Sequence, residues 1–247
     1  MGALIQVQGS FFFALVNMKS LKLIIIFIAT IILFGLYNKE SVSWALQEID
    51  IKYITSYSVK SMGDVAPSML YFDHEQGELY VASHGKEIVI INEDGIIVHR
   101  IAFEKSPQLF CVSKSGDIYV TNDLGGIDIL NYRGEYKGKL DLSSVPNATE
   151  LVIQSFHLDD NGLFYIGDVK SGRIVVLDSS GNFLFQFGKK GNGEGEFLNA
   201  KAITTDVDRL YILDPPLFRV SVYDKKDGRF LFMFGQISSQ LGGFSMP

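Results

Sequence analysis

Leu210-Tyr211-Ile212-Leu213-Asp214, Arg219-Val220-Ser221-Val222-Tyr223-Asp224 and Phe230-Leu231-Phe232-Met233-Phe234-Gly235 follow one another closely near the end of the chain. Pro215-Pro216-Leu217-Phe218 separates the first two, and a turn holding Gly228 separates the last two. Each stretch is short, rich in β-branched and aromatic residues and bounded by turn-forming residues, so the three read as antiparallel strands. Val220 and Val222 fall on one side of the middle strand and Arg219 and Ser221 on the other. That alternation predicts one apolar side and one tolerant of polar groups.

The same plan recurs upstream. Tyr80, Tyr119, Tyr165 and Tyr211 mark the second strand of four units and are spaced 39, 46 and 46 residues apart. Gly95, Gly134, Gly181 and Gly228 mark the turn after the third strand, spaced 39, 47 and 47. Glycine belongs there because a tight hairpin turn needs a residue that tolerates positive φ. Four short antiparallel strands per unit at such a period predict all-β blades of a β-propeller, over about 67–102, 107–142, 153–188 and 200–235. One blade cannot bury both its faces, so apolar positions recur in every unit to meet the next.

Phe187-Gly188, Gly193-Glu194-Gly195-Glu196-Phe197, Ala202-Ile203 with Asp206, Leu210-Tyr211-Ile212 with Asp214, and Arg219 through Asp224 together resemble an NHL repeat. The third and fourth units carry the resemblance best, and it extends over residues 51–247. It implies a six-bladed ring. Such propellers serve as scaffolds, sensor domains, RNA-binding modules and, in a few cases, lyases, so the resemblance implies a fold more than an activity. It also implies that the repeated pairs Asp168–Arg173 and Asp214–Arg219 tie the loop between second and third strands to a neighbouring blade.

Phe244 lies 47 residues after Phe197, and Pro247 lies 47 after Ala200. The repeat therefore breaks off where a fifth blade would begin, and residues 51–58 (IKYITSYS) read as an orphan strand that would complete the last blade. The expectation is an incomplete six-bladed ring, able to self-associate through its open edge.

Leu23 to Leu36 is an uninterrupted apolar run behind Lys19 and Lys22, and Ser43-Trp44-Ala45 offers small residues for signal-peptide cleavage. Residues 1–45 thus read as a signal peptide, or as a hydrophobic helical anchor over 21–37, with translation starting at Met18. Both readings place residues 46–247 outside the cytoplasm, periplasmic or secreted. Without residues 1–45, which carry Lys19, Lys22, Lys39 and Glu40, the chain has 19 basic and 27 acidic residues. An acidic domain argues against nucleic acid as a partner, since phosphate binding relies on clustered Lys and Arg.

Cys111 is the only cysteine and sits in an apolar stretch, which excludes an intrachain disulfide and predicts a buried, inert thiol. His157 aligns with the innermost strand of its blade, and the equivalent positions are Tyr71, Cys111 and Thr204. That mixture is not a metal set, so no metal, cofactor or catalytic residue is assigned. The leading expectation is a non-catalytic binding or scaffold module that presents loops to a protein, peptide or glycan. Loops 83–87, 122–126, 168–172 and 214–218 should share one end with linkers such as 189–199, and Pro215, Pro216, Leu217 and Phe218 form the candidate contact loop. The alternative is a propeller lyase or lactonase with a metal in its central channel and some ligands beyond Pro247.

Overall fold

The structure, a computed structural model, describes residues 5–7, 10–12, 67–83, 86–122, 124–238 and 243–244. Two units are distinguished, Met1–Ser56 and Tyr57–Pro247. In the first, β1 (Ile5–Val7) pairs antiparallel with β2 (Ser10–Phe12). The apolar run 21–37, the cleavage position after Ala45 and the strand expected over 51–58 lie outside the described residues. Among the described residues no helix is long and apolar enough to cross a membrane.

Among the described residues, the second unit holds four sheets of four antiparallel strands each. The first holds β3 (Pro67–Asp73), β4 (Glu78–Ser83), β5 (Glu87–Ile91) and β6 (Ile97–Ala102). The second holds β7 (Phe110–Val112), β8 (Ile118–Thr121), β9 (Ile127–Leu130) and β10 (Tyr136–Lys139). The third holds β11 (Ile153–Leu158), β12 (Phe164–Asp168), β13 (Arg173–Leu177) and β14 (Phe183–Phe187). A short parallel pair follows, β15 (Lys189–Lys190) with β16 (Glu196–Phe197). The fourth sheet holds β17 (Ala202–Thr205), β18 (Arg209–Asp214), β19 (Arg219–Asp224) and β20 (Phe230–Phe234). Within each sheet every strand pairs with its neighbours in sequence, and the first strands stand side by side, β3 against β7, β7 against β11 and β11 against β17. The fold is a β-propeller.

Local chemistry sets the hairpins. Gly95, Gly134, Gly181 and Gly228 adopt φ of 78°, 82°, 88° and 72°, in the left-handed region where a side chain is strained. An Asn or Asp three or four residues earlier caps each of these turns. Asn92 Oδ1 accepts the N–H of Ile96, Asn131 Oδ1 that of Glu135, Asp178 Oδ1 that of Asn182 and Asp224 Oδ1 that of Lys226.

Blades bury their faces against one another. Tyr80, Ile88 and Ile90 of the first meet Phe110, Ile118 and Val120 of the second. Cys111 and Ile127 of the second meet Phe156, Ile166 and Val175 of the third. Tyr165, Ile174 and Val176 of the third meet Ile203, Leu210, Ile212 and Tyr223 of the fourth. Because the third blade is covered on both sides, every residue of β12 and β13 is buried. Each fully buried Val, Ile or Leu there contributes about 1.5–3 kcal/mol as apolar area removed from water. On β18, in contrast, Leu210, Ile212 and Asp214 are buried while Tyr211 and Leu213 are only partly so. Phe230 packs edge-on to Tyr223, with centroids 5.6 Å apart, whereas Phe232, Met233 and Phe234 are exposed.

The side of β19 that bears Arg219, Ser221 and Tyr223 is the one turned toward the third blade, and all three residues are buried. The polar-tolerant side expected from the alternation is therefore an interior side.

Candidate functional site

Antiparallel pairing sorts the connections. Turns from first to second and from third to fourth strands gather at one end of the blades. Loops from second to third strands and the linkers between blades gather at the other.

At the linker end, Asp168 and Arg173 stand directly opposite in register. Arg173 donates from Nε to Asp168 Oδ2 at 3.0 Å, from Nη1 to Gln186 Oε1 at 2.6 Å and from Nη2 to the carbonyl of Pro146 at 2.8 Å. The second carboxylate oxygen of Asp168 accepts the N–H of Lys170 in its own loop and of Val152 in the linker from the second blade. Burial pulls the Asp168 carboxyl up, yet the N–H of Val152 and the Arg173 guanidinium outweigh it and hold it below the ordinary value.

Asp214 and Arg219 keep that register but share their work differently. Arg219 donates to the carbonyls of Asn192, Gly193 and Glu196 at 3.1, 2.8 and 2.9 Å, and Asp214 accepts the N–H groups of Leu198 and Asn199. Arg219 Nε has no hydrogen-bond partner. Burial raises the Asp214 carboxyl, and its two backbone donors and the charge of Arg219 only partly offset this. Next to this pair, Pro215–Leu217 form one 3-10 turn closed by Phe218 at φ 50°. Pro216 is exposed, and Pro215, Leu217 and Phe218 are half-buried.

Along the inner strands, Tyr71, Cys111, His157 and Thr204 lie opposite Tyr80, Tyr119, Tyr165 and Tyr211. Cys111 is buried, and burial pushes its thiol well above the ordinary value. His157 Nε2 lies 3.1 Å from Thr205 Oγ1 of the fourth blade, and burial lowers its imidazole pKa. Among the described residues no three His, Cys, Asp or Glu side chains converge as metal ligands.

A groove opens at the opposite end, where turns of the first three blades meet. Its central cavity, about 80 Å³, is lined by Tyr71, Asp73, His74 and Glu75 of the first blade, Ser113 and Lys114 of the second, and Asp159 and Asp160 of the third. Flanking cavities of about 370 and 340 Å³ extend it toward Tyr119 and Ser179 on one side and toward Glu78, Tyr80 and Tyr132 on the other. Lys114 lines all three.

Several of these groups hold their own turns. Asp73 Oδ1 accepts the N–H of Glu75, Ser113 Oγ that of Asp117, and Asp159 Oδ1 those of Asn161 and Leu163. His74, Glu75, Lys114 and Asp160 are exposed and face the groove. Tyr71 donates to the carbonyl of Val112 at 2.9 Å, and burial together with nearby Cys111, Asp73, Asp160 and Glu75 pushes its phenol up to about 12. It remains a neutral hydroxyl at physiological pH. The groove thus offers one ammonium among several carboxylates, with phenols in its walls, a surface for holding a polar ligand.

A family model described as a 6-bladed beta-propeller (DUF5128) matches residues 152–233, the third and fourth blades. No curated protein matches the chain. Among solved structures, a protein of unknown function from Bacteroides caccae aligns at 12% identity and a TM-score of 0.49. A streptogramin B lyase aligns at 16% identity and a TM-score of 0.50. These alignments cover 76% and 68% of this chain, and they span 65% and 54% of the two solved chains. The alignment with the lyase shows the propeller fold alone.

Two groups at this end escape a reading of the sequence. Lys225 of the fourth blade reaches Asp159 of the third at 2.7 Å. Lys114 sits in Ser113-Lys114-Ser115-Gly116, which reads only as a turn. The clue was position: it occupies the same hairpin as the adjacent acidic turns at Asp73 and Asp159.

Proposed function

We propose that this propeller is a non-catalytic binding module exposed outside the cytoplasm, and that it takes a protein, peptide or glycan partner into the groove around Lys114. The observation that supports this is convergence. Exposed polar side chains from three separate blades line one continuous groove, while the turns beneath them are fixed by their own hydrogen bonds. A surface whose backbone is already ordered loses little freedom when a ligand arrives. The fold shared with a lyase transfers no activity to this chain.

The test is capture by the full chain in detergent micelles on peptide and glycan arrays. Lys114→Glu and Asp160→Lys should each lower capture at least tenfold with unchanged melting temperature. Capture unaffected by either variant would remove the groove from the proposal. Stoichiometric tightly bound metal with turnover of a captured ligand would replace binding by catalysis.

A further inference from the structure

The loops between second and third strands end alike in the four blades. Lys86, Gly125, Gly172 and Phe218 adopt left-handed φ of 63°, 79°, 66° and 50°. The next residue stands at the entry to the third strand, and it is Glu87, Gly126, Arg173 and Arg219 in turn. The second blade holds its loop much as the third does. Asn122 Oδ1 accepts the N–H groups of Leu124 and Gly126, as Asp168 Oδ1 accepts those of Lys170 and Ser171. Asn122 therefore corresponds to Asp168, and Gly126 to Arg173.

The arginine at this position reaches back to the linker from the preceding blade. Arg173 meets the carbonyl of Pro146, and Arg219 those of Asn192, Gly193 and Glu196. In the second blade glycine supplies no such side chain. A cavity of about 460 Å³ lies there, between the equivalent linker (102–107) and β8, β9 and β10. Val120 and Leu130, which pack on the first blade, form part of its wall with Phe103 and Tyr136.

The second blade has also kept a carboxylate and moved it. Asp128 follows Gly126 by two positions, on the same side of the strand, where the third blade has the buried Val175. Asn122 Nδ2 donates to Asp128 Oδ1 at 2.8 Å, and both side chains line the cavity. That leaves Asp128 Oδ2 for a further donor. Asp128 is half-buried, whereas Glu104 and Lys105, of opposite charge, are exposed at the rim, and Lys139 across the strand pair is exposed as well. A carboxylate between aliphatic and aromatic walls suits a guanidinium, which is planar, weakly hydrated and able to stack on rings while its N–H fork engages the oxygens.

We infer that this cavity is a binding site for a guanidinium group, taking from a ligand what the third and fourth blades supply from their own chains. The N–H donors go to Asp128, and the attached methylenes lie along Val120 and Leu130. The cavity shares no wall residue with the groove around Lys114, so the two sites stand or fall separately.

Calorimetric titration of the full chain in detergent micelles tests this with three probes: Gly-Arg-Gly, Gly-citrulline-Gly and butylguanidine. The arginine peptide should bind saturably, and the citrulline peptide, alike in shape but uncharged, about tenfold or more weaker. Butylguanidine separates the sources of the group. Binding tighter than the peptide's marks a free small molecule, and weaker binding marks an arginine within a polypeptide. Citrulline binding equal to arginine, or no binding of either guanidinium probe, would overturn the inference. Gly126→Arg places the chain's own guanidinium in the cavity, and a Cβ at this position would press only on the Asn122 side chain, at 3.3 Å. This variant should lose the binding and melt no lower than the parent, and undiminished binding would overturn the site. If it does not fold, Asp128→Asn decides: a loss of about tenfold supports the site, and an unchanged affinity ends it.

Discussion

Lys225 Nζ of the fourth blade lies 2.7 Å from Asp159 Oδ2 of the third, with the two side chains 10% and 0% exposed. Asp159 is doubly used, since its other oxygen caps the turn Asn161–Leu163 in its own blade. The contact locks a hairpin of one blade to the last turn of the next. Lys225→Met should leave a buried carboxylate without its cation and destabilise the chain by about 3 kcal/mol or more. The companion Asp159→Asn/Lys225→Met should recover part of that loss. A urea titration of the four members of the cycle measures the coupling, and additive losses would show that the pair is not a unit.

Asp168 and Asp214 share a register and should answer differently to the same change. Asp168→Asn removes the partner of Arg173 Nε inside the protein and should cost about 3–5 kcal/mol. Asp214→Asn removes an acceptor already weakened by burial and should cost about 0.5–1.5 kcal/mol. The sign with pH differs too. Asp168 has a lowered carboxyl pKa, so its contribution is full above the ordinary value and fades as pH falls. Asp214 has a raised one, so its contribution is present at acid pH and lost as pH rises. Denaturation at pH 7 and pH 4 should show the gap between the variants narrowing in acid.

His157 gives a separate pH signature. Burial favours its neutral ring, so the unfolded chain takes up a proton more readily than the folded one. Stability should be full above the ordinary histidine range and decline as pH falls through it. Melting curves between pH 7.5 and 5 should slope downward for the parent and flatten for His157→Gln, which keeps a polar group near Thr205. An unchanged slope would remove His157 as the titrating group.

Two glycines separate backbone strain from collision. Gly116 has φ 79°, and a Cβ placed on it would meet no atom within 4 Å. Gly228 has φ 72°, and a Cβ placed on it would run into the ring of Phe187. Gly116→Ala should cost about 1–2 kcal/mol from the left-handed conformation alone. Gly228→Ala should cost more by the displacement of Phe187. Thermal denaturation of the two variants beside the parent measures the difference, and equal losses would mean that the ring yields freely.

Export is testable without any ligand. A periplasmic-type reporter fused after residue 60 should be active outside the cytoplasm, and Ala45→Trp should leave a larger, membrane-bound product if cleavage occurs there. A reporter active only inside the cell would contradict the assignment.

The blades were legible because their signals are local. Tyr80, Tyr119, Tyr165 and Tyr211 and the four turn glycines repeat within hairpins, and hairpin chemistry depends on a few adjacent residues. The groove and the packing of the fourth blade on the third were not legible, for a physical reason in each case. Lys225 and Asp159 meet from 66 positions apart, and the third blade has Ser179 where the fourth has Lys225, so no repetition announces the pair. On β19 the alternation of Val220 and Val222 with Ser221 is real, but alternation cannot tell which side faces the neighbouring blade.

The side-by-side order of the first strands also bears on how such a chain reaches its native state. Every sheet pairing joins strands adjacent in sequence, and contacts between blades span about one repeat, as in Tyr71 to Val112 or His157 to Thr205. Loops closed by such contacts are short for an all-β protein, so the entropy lost before each contact forms is modest. Assembly can then advance as a zipper, each finished hairpin pair serving as a template for the next as the chain leaves the ribosome or crosses a membrane in an extended form.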